Sequence, residues 1–497
     1  MDYLLGLDIG TSGVKGILVS TAGQVVKSRT EYYQLNTPHP GWTEQNPADW
    51  WEGTTNVIKY LLANSGVSAE EIKGVSFSGQ MHSSVFLDQG MEVIRPAILW
   101  SDTRTSKQCQ DIYQRVGGLE KLIKLVSNPA LEGFTAPKVL WLQQNEPENY
   151  QRVKMILLPK DYIRYRLTGE VQIDRSDGAG TIMMDIRQGS WSVDLLDRLG
   201  IERDLLPPLV NSTAIVGEVS RAAARTCGLK VGTPVVAGGA DNACGAVGSG
   251  IIKEGRVMVS IGTSGVVVAQ VEKPLADPKG RLHLFNHAVP ENWYMMGVML
   301  SAGMSFSWLK ENLFADQYDY QHLNLLAAEA ESGSEGLLFL PYLYGERTPH
   351  ADANARGVFF GISGNHQQGH LVRSVMEGVS FGLRDSLELI KEQDIKINEI
   401  RAIGGGAKSK VWQQILADVF GQEIKLLKIE EGPALGAAMI AGVGVGVFKD
   451  FSEAEQGIIQ VSQSITPNEE KRDYYNQLFA LYQNLYQSLK DDFKKLT

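Results

Sequence analysis

With 497 residues, the chain exceeds the size at which one hydrophobic core stops growing, so at least two domains are expected. Its 43% hydrophobic and 21% charged residues, with 52 glycines, fit a globular protein with many tight turns and exclude extensive disorder. A formal net charge of −10, with no Lys/Arg block to offset it, repels phosphodiester and anionic lipid surfaces and speaks against nucleic acid or a membrane as partner.

The N-terminal "MDYLLGLDIG" enters a strand pattern with no basic n-region or cleavage site, so export is not expected and the cytoplasm is the expected compartment. The phrase "IGTSGV" at 9–14, between "YLLGLD" and "KGILVS", reads as a β-hairpin turning at Gly-Thr-Ser-Gly. "GVSFSGQMHSSVFLD" (74–88) reads as strand, turn, strand, and backbone groups alone could satisfy its His82. At 238–250, "GGADNACGAVGSG" follows the apolar "TPVVA", so Asp241 falls where a strand gives way to a glycine-rich helix start. An acid there either caps the helix or belongs to a site for an anionic ligand. "IGTSGV" then recurs at 261–266 between "RVMVS" and "VVVAQ". "HLVRSVMEGVSFGLRDSLELI" has helical spacing through Leu371, Val375, Val379, Leu383 and Leu387. "IRAIGGGAKSKVWQQILADVFG" (400–421) reads as a strand, a glycine turn and a helix burying Trp412, Ile415, Leu416, Val419 and Phe420. A flat ring could lie on Gly404 to Gly406. "GPALGAAMIAGVGVGVF" (432–448) is too short and glycine-rich for a membrane span and reads as a buried helix. A final helix puts Tyr475, Leu478, Phe479, Tyr482, Leu485, Tyr486 and Leu489 on one docking face.

The repeated phrase implies two related halves. Each turn offers backbone N–H groups, two hydroxyls and glycines, the parts of an anion-binding nest, although both could be plain tight turns. The preceding residue differs, Asp8 in one copy and Ser260 in the other. A carboxylate beside a phosphate nest calls for a cation, and Mg²⁺ is the oxygen-seeking ion that bridges carboxylates to nucleotide phosphates. Asp8 is therefore the metal candidate, while Lys15 either reaches a terminal phosphate or is a solvated lysine. No P-loop and no protein-kinase HRD/DFG set occurs. "GVSFG" (378–382) lies in a helical pattern, where a nucleophile elbow needs a strand before its serine, and "GVGVG" lies at a helix end rather than after a strand. Cys109, Cys227 and Cys244 form no CxxC pair, and the histidines at 82, 283, 287, 350, 366 and 370 form no HExxH, so neither a disulfide framework nor a zinc site is indicated.

These pieces, in this order and over nearly the whole chain, resemble the FGGY family of carbohydrate kinases. "GLDIGTSGVKGILV" resembles its first phosphate hairpin, "SIGTSGV" the second and "GGGAKSKVWQQILADVFG" its adenosine segment; two longer signatures resemble "GFTAPKVLWLQQN" (133–145) and "GVFFGISGNHQQGHLVRSVME" (357–377). The resemblance implies an α/β, two-domain, duplicated actin/Hsp70-like ATPase (ribonuclease H-like) fold with an interdomain cleft, its domains at 1–246 and 247–497. It implies ATP and Mg²⁺, with Thr11, Ser12, Lys15, Gly262, Thr263, Gly405, Gly406 and Ala407 toward the nucleotide. "SGQMH", "RPAILWSDTRT" and "FLPYLYGERTPH" further imply transfer of phosphate from ATP to D-xylulose. Met81 and His82 would touch the sugar, Asp241 would be the catalytic base, Asp8 would support the metal-bound phosphates, and Asn242 and Asp102 are further candidate substrate contacts. In relatives acting on xylulose a glycine commonly follows the histidine, whereas Ser83 stands here, and relatives acting on gluconate can carry "AMHS"; gluconate and ribulose are the alternative acceptors. Filament-forming and chaperone ATPases of the same fold are more distant rivals. A homodimer is the expected assembly.

Overall fold

In the computed structural model, which describes residues 2–315, 317–429 and 431–496, the chain forms two compact units. The first comprises Met1–Ile252, Glu272–Tyr294 and Glu431–Ile459, the second Lys253–Val271, Met295–Glu430 and Gln460–Thr497. Neither is contiguous: a single boundary after 246 falls near the first crossing, at Ile252, and leaves two returning segments on its far side.

The first unit is built on the strands β1 (Tyr3–Ile9), β2 (Gly13–Ser20), β3 (Val25–Tyr32), β4 (Ile72–Gly79), β5 (Ile215–Glu218), β6 (Pro234–Val236) and β7 (Gly239–Ala240). Their order is β5-β6-β4-β1-β2-β3, with β7 also paired to β4. β1 to β3 form an antiparallel meander, β4 and β6 run parallel, and β5 turns back. Helix α1 (Pro47–Ser65), capped by the Asn46 side chain and ended by Gly66 in the left-handed region, lays Val57 and Leu61 over Gly16 of β2. The segments α2 (Thr135–Asn145), α3 (Pro159–Thr168), α4 (Arg175–Ala179) and α5 (Asp241–Gly248) complete the parts that matter below.

The second unit repeats this plan. Its strands are β8 (Arg256–Ile261), β9 (Gly265–Val271), β10 (Trp293–Met299), β11 (Glu399–Ile403), β12 (Ile424–Leu427) and β13 (Val461–Ile465). They follow the order β10-β9-β8-β11-β12-β13, with β8-β9 antiparallel, β8-β11-β12 parallel and the final strand reversed. The duplication expected from the repeated hexapeptide is thus a duplication of sheet topology. Around it lie α6 (Gly303–Trp308), α7 (Gln368–Lys391) and α8 (Lys410–Phe420). All five expected apolar residues of α8 are buried. Ser380 of "GVSFG" sits inside α7, donating to the Met376 carbonyl one turn back at 2.7 Å, so it is a helix hydroxyl rather than a nucleophile.

The chain then returns to the first unit as α9 (Pro433–Gly444), whose residues Ala434 to Gly442 are all buried. Its small side chains are required by contact distance: a Cβ on Gly436 would lie 1.8 Å from the Cys244 carbonyl oxygen of α5, and one on Gly6 would lie 2.1 Å from the Ala434 carbonyl. The last helix, α10 (Arg472–Phe493), packs in the second unit with Tyr475, Leu478, Phe479, Tyr482, Leu485 and Tyr486 buried and Leu489 half-buried. Its Tyr475 hydroxyl donates to Glu377 of α7 at 2.7 Å. Among the described residues, no helix is long and apolar enough to cross a membrane.

Candidate functional site

In the first unit the carboxyl ends of β1, β4 and β7 lie side by side, Asp8 opposite Ser78 and Gly239 opposite Ser78 from the other edge. Such strand ends are where open α/β sheets place ligands. Asp8 accepts from the Ser78 hydroxyl at 2.8 Å. Lys15, its partner across the hairpin, reaches Glu431 at 2.7 Å. β7 ends at Ala240, and Asp241 is the first residue of α5; its Oδ1 accepts from the Asn242 backbone N–H (2.7 Å) and side-chain amide (2.9 Å). The carboxylate thus serves its own turn, within reach of no later N–H of the helix as a cap would be. Burial pushes the Asp241 carboxyl up to about 7, the charge of Asp8 adds to the rise, and the Asn242 donors oppose it. Asp8 is also raised by burial, against the Ser78 hydroxyl and Lys15.

The Asn242 amide also points at Met81 Sδ, 3.6 Å away, so Met81, Asp241 and Asn242 converge. His82 joins them through Gly180: its Nδ1 lies 2.6 Å from the Gly180 carbonyl, which can only accept, so Nδ1 carries the proton. A Cβ on Gly180 would collide with the His82 ring at 2.9 Å and the Met81 methyl at 3.1 Å. His82 has φ 68°, the left-handed region, and its carbonyl is pinned there by the Thr135 hydroxyl (2.9 Å) and Lys138 Nζ (3.1 Å) of α2. Burial brings the Lys138 ammonium down to about 7. The signature "GFTAPKVLWLQQN" therefore acts by holding a distant histidine. Sequence reasoning missed both residues, although a lysine inside the apolar run "TAPKVLWL" is the signal that could have found one.

Ser83 is fully buried and belongs to a closed ring of hydrogen bonds. Its hydroxyl donates to Gln80 Oε1 (3.1 Å) and accepts from the Trp100 backbone N–H (3.0 Å). The Trp100 indole donates to the Thr11 hydroxyl (2.8 Å), which donates to the same Gln80 oxygen (3.5 Å). Thr11 is thereby tied to the 80–83 turn, while Ser12 is exposed. Asp102 makes none of these bonds: its oxygens accept from the Thr43 N–H (2.7 Å) and bidentately from Arg104 (2.9 and 2.7 Å), while its charge acts on Lys138.

In the second unit, Gly262, Thr263, Gly405 and Gly406 line one cavity of about 440 Å³. Ala407 is buried, its carbonyl accepting from Gln413 at 2.7 Å. Phe306, Tyr320 and Trp412 supply aromatic walls, with Phe306 stacked on Tyr320 at 5.6 Å and edge-on to Trp412 at 5.5 Å. Sequence reasoning missed Phe306 and Tyr320, for which the surrounding residues carry no motif. The size and the mixture of aromatic faces, glycine backbone and hydroxyls suit a purine nucleoside.

Residues 3–248 match the N-terminal domain of the FGGY family of carbohydrate kinases and residues 257–445 its C-terminal domain. The chain belongs to that family, and its fold is the duplicated one of sugar kinases of the actin/Hsp70-like ATPase type. Among individual proteins it is 43% identical to the xylulose kinase of Bacillus subtilis strain 168, over 99% of this chain and 98% of that protein. It superimposes on the ligand-bound xylulose kinase of Lactobacillus acidophilus with a TM-score of 0.95 at 30% identity, and on the gluconate kinase of the same organism with 0.95 at 29%, covering 100% of each chain in both cases.

Proposed function

We propose that this chain is an ATP-dependent kinase that converts D-xylulose to D-xylulose 5-phosphate. The observation that carries the reading is the convergence of Asp241, Asn242, Met81 and His82 at the strand ends beside Asp8, in a chain 43% identical to a xylulose kinase. Asp241 takes the proton of the attacking sugar hydroxyl as its oxygen bonds to the γ-phosphorus and the bond from phosphorus to the β,γ-bridging oxygen breaks, releasing ADP. Its small neighbours leave room for that approach. Met81 and His82 orient the ketose, and Asn242 holds the carboxylate toward it. The cavity of the second unit takes the adenosine, its aromatic walls on the ring and Gly405 and Gly406 beneath. The charge of Asp8 raises the proton affinity of Asp241 while Lys15 is engaged with Glu431, and an all-oxygen set of this kind fits a hydrated Mg²⁺ held on the Asp8 side. When bound, Mg²⁺ neutralises the phosphate charge that Asp8 would otherwise repel.

The test is ADP release with ATP and Mg²⁺ over a panel of xylulose, ribulose, gluconate and glycerol. We expect xylulose to give the highest kcat/KM. Gluconate is the second reading, favoured by Ser83 at the position after the histidine, and a gluconate maximum would replace the first. Hydrolysis indifferent to every sugar would overturn both and point to a non-metabolic ATPase of the same fold.

A further inference from the structure

Beneath the strand ends lies a cluster of charges with no access to solvent. Lys160, near the start of α3, places its ammonium 2.7 Å from Asp161, 2.6 Å from Asp174 and 3.0 Å from Asp177, and Arg164 reaches Asp161 at 2.9 Å. All five side chains are 0% exposed. The three carboxylates approach one another closely enough to hold a metal ion, but the lysine occupies that role. Removing so many charges from water is costly, and well-packed apolar residues would commonly stabilise a fold as well or better. Stability alone is therefore a poor reason for this cluster.

Its connections supply another. Asp174 caps α4, accepting from the Ser176 N–H at 2.8 Å, and also takes the Ser176 and Ser212 hydroxyls, the latter at 3.2 Å. The Ser176 oxygen in turn accepts from the backbone N–H of Ala240 at 2.9 Å, the residue before Asp241. α4 runs from this cap to Gly180, whose carbonyl holds His82. Lys160 itself packs on Gly79, where an added Cβ would meet its own Cβ at 2.8 Å, immediately before the Gln80–His82 turn. The segments carrying Asp241, His82 and Met81 are thus all fastened to one buried ion cluster.

We propose that Lys160, Asp174 and Ser176 are positioning residues of the phosphoryl-transfer site, fixing the separation between Asp241 and the His82 turn through the backbone of Ala240 and Gly180. The inference rests on the assignment of Asp241 as base and His82 as sugar contact. None of the three touches the sugar; they set where the groups that do touch it stand, and displacements of about 1 Å in such groups can cost about a hundredfold in rate.

The test compares two serines that donate to the same buried carboxylate. Ser176→Ala removes a donor to Asp174 and the link to Ala240; Ser212→Ala removes a donor to Asp174 and leaves that link intact. With the best sugar of the panel, Ser176→Ala should lower kcat about tenfold or more, with KM for ATP within about twofold of the parent, in line with losing a charge-assisted hydrogen bond. Ser212→Ala should lower the melting temperature to a similar degree and leave kcat within about twofold. Equal kcat for the two variants, whether both fall or both hold, overturns the inference. A parent chain that turns over no sugar overturns the functional reading and this inference with it, an outcome distinguishable because the parent is measured first.

Discussion

The two copies of "IGTSGV" occupy matching places in two matching sheets, yet they pair differently. In the first, Ile9 faces Val14 and Asp8 faces Lys15; in the second, Ile261 faces Gly265 and Ser260 faces Val266, one residue out of step. Neighbouring segments set the difference. Gly13 is gripped by β3, where a Cβ would meet the Glu31 carbonyl at 2.4 Å, and the Tyr33 N–H bonds to Ser12 O. In the second turn the start of α6 closes over instead, Gly303 N–H donating to the Gly262 carbonyl at 2.8 Å and Met304 N–H to that of Thr263 at 3.0 Å. The first turn is wired into polar side chains beside a carboxylate, while the second forms the floor of an aromatic cavity. Identical residues supply the same kind of turn, and the surrounding sheet decides whether it lies among polar side chains beside a carboxylate or along an aromatic cavity.

Breaking the chemistry of the first region while sparing the second should give the largest effect. Asp241→Ala should lower kcat by about 10²–10⁴-fold, the usual contribution of a general base, while a fluorescent ATP analogue binds with unchanged affinity. Loss of both together would mean that the variant had unfolded or that the nucleotide lies elsewhere. The converse variant is Gly303→Ala, whose new Cβ would stand 2.4 Å from the Gly262 carbonyl oxygen. Relieving such overpacking costs about 1–3 kcal/mol, so KM for ATP should rise roughly five- to 150-fold, with the ranking of sugars unaltered. A change of sugar ranking would contradict the division of labour between the two turns.

Much of this was legible in the sequence because it is local. The hairpins, the buried face of α8, the glycine-rich α9 and the placement of Asp241 at a strand-to-helix junction all follow from period, turn residues and side-chain size within a dozen positions. The register offset was not legible, since the residues are the same in both copies and the cause lies in β3 and α6. Nor were the supports of His82, because Thr135 and Lys138 meet its carbonyl only after the intervening chain has folded. Nor was the charged core under the site, for Lys160, Asp161 and Arg164 of "LLPKDYIRYRL" are wholly buried without any local pattern that marks them so. Asp161 pairs with both cations locally, but Asp174 and Asp177, which also face Lys160, and the Ala237 carbonyl, which accepts from Arg164, arrive from elsewhere in the chain.

The pH response sharpens the contrast further. Asp241 must be ionised to accept a proton, so with its carboxyl near 7 kcat/KM for the sugar should rise as pH passes through about 7 and level off above it. Asp8→Asn removes a like charge and should move this limb to lower pH, whatever it does to the maximum. Asn242→Leu removes a donor to the ionised form and should move it to higher pH. Shifts of the same sign in both variants would be incompatible with the site as drawn. Stability should run the other way: a carboxyl raised in the folded state favours folding at low pH and loses that advantage as pH climbs through about 7. Asp241→Asn should therefore melt higher than the parent at pH 8 and equally at pH 4, measured by calorimetry.

The smallest expected effect concerns Ser83, the residue that sets this chain apart from a glycine commonly found there. Its hydroxyl is spent on Gln80 and on the Trp100 backbone, and the ring it closes reaches Thr11 in the first "IGTSGV" hairpin. A direct contact with the substrate would make Ser83→Gly change which sugar is preferred. A link between the sugar turn and the phosphate turn would make the same variant loosen their coupling, so that ATP hydrolysis without sugar rises while the sugar ranking stays. One neutral hydrogen bond is worth about 0.5–1.5 kcal/mol, so the rise should be roughly two- to tenfold, read as ADP release with and without xylulose. A switch of preference from xylulose to gluconate, or the reverse, would show instead that Ser83 meets the acceptor and that the ring is incidental.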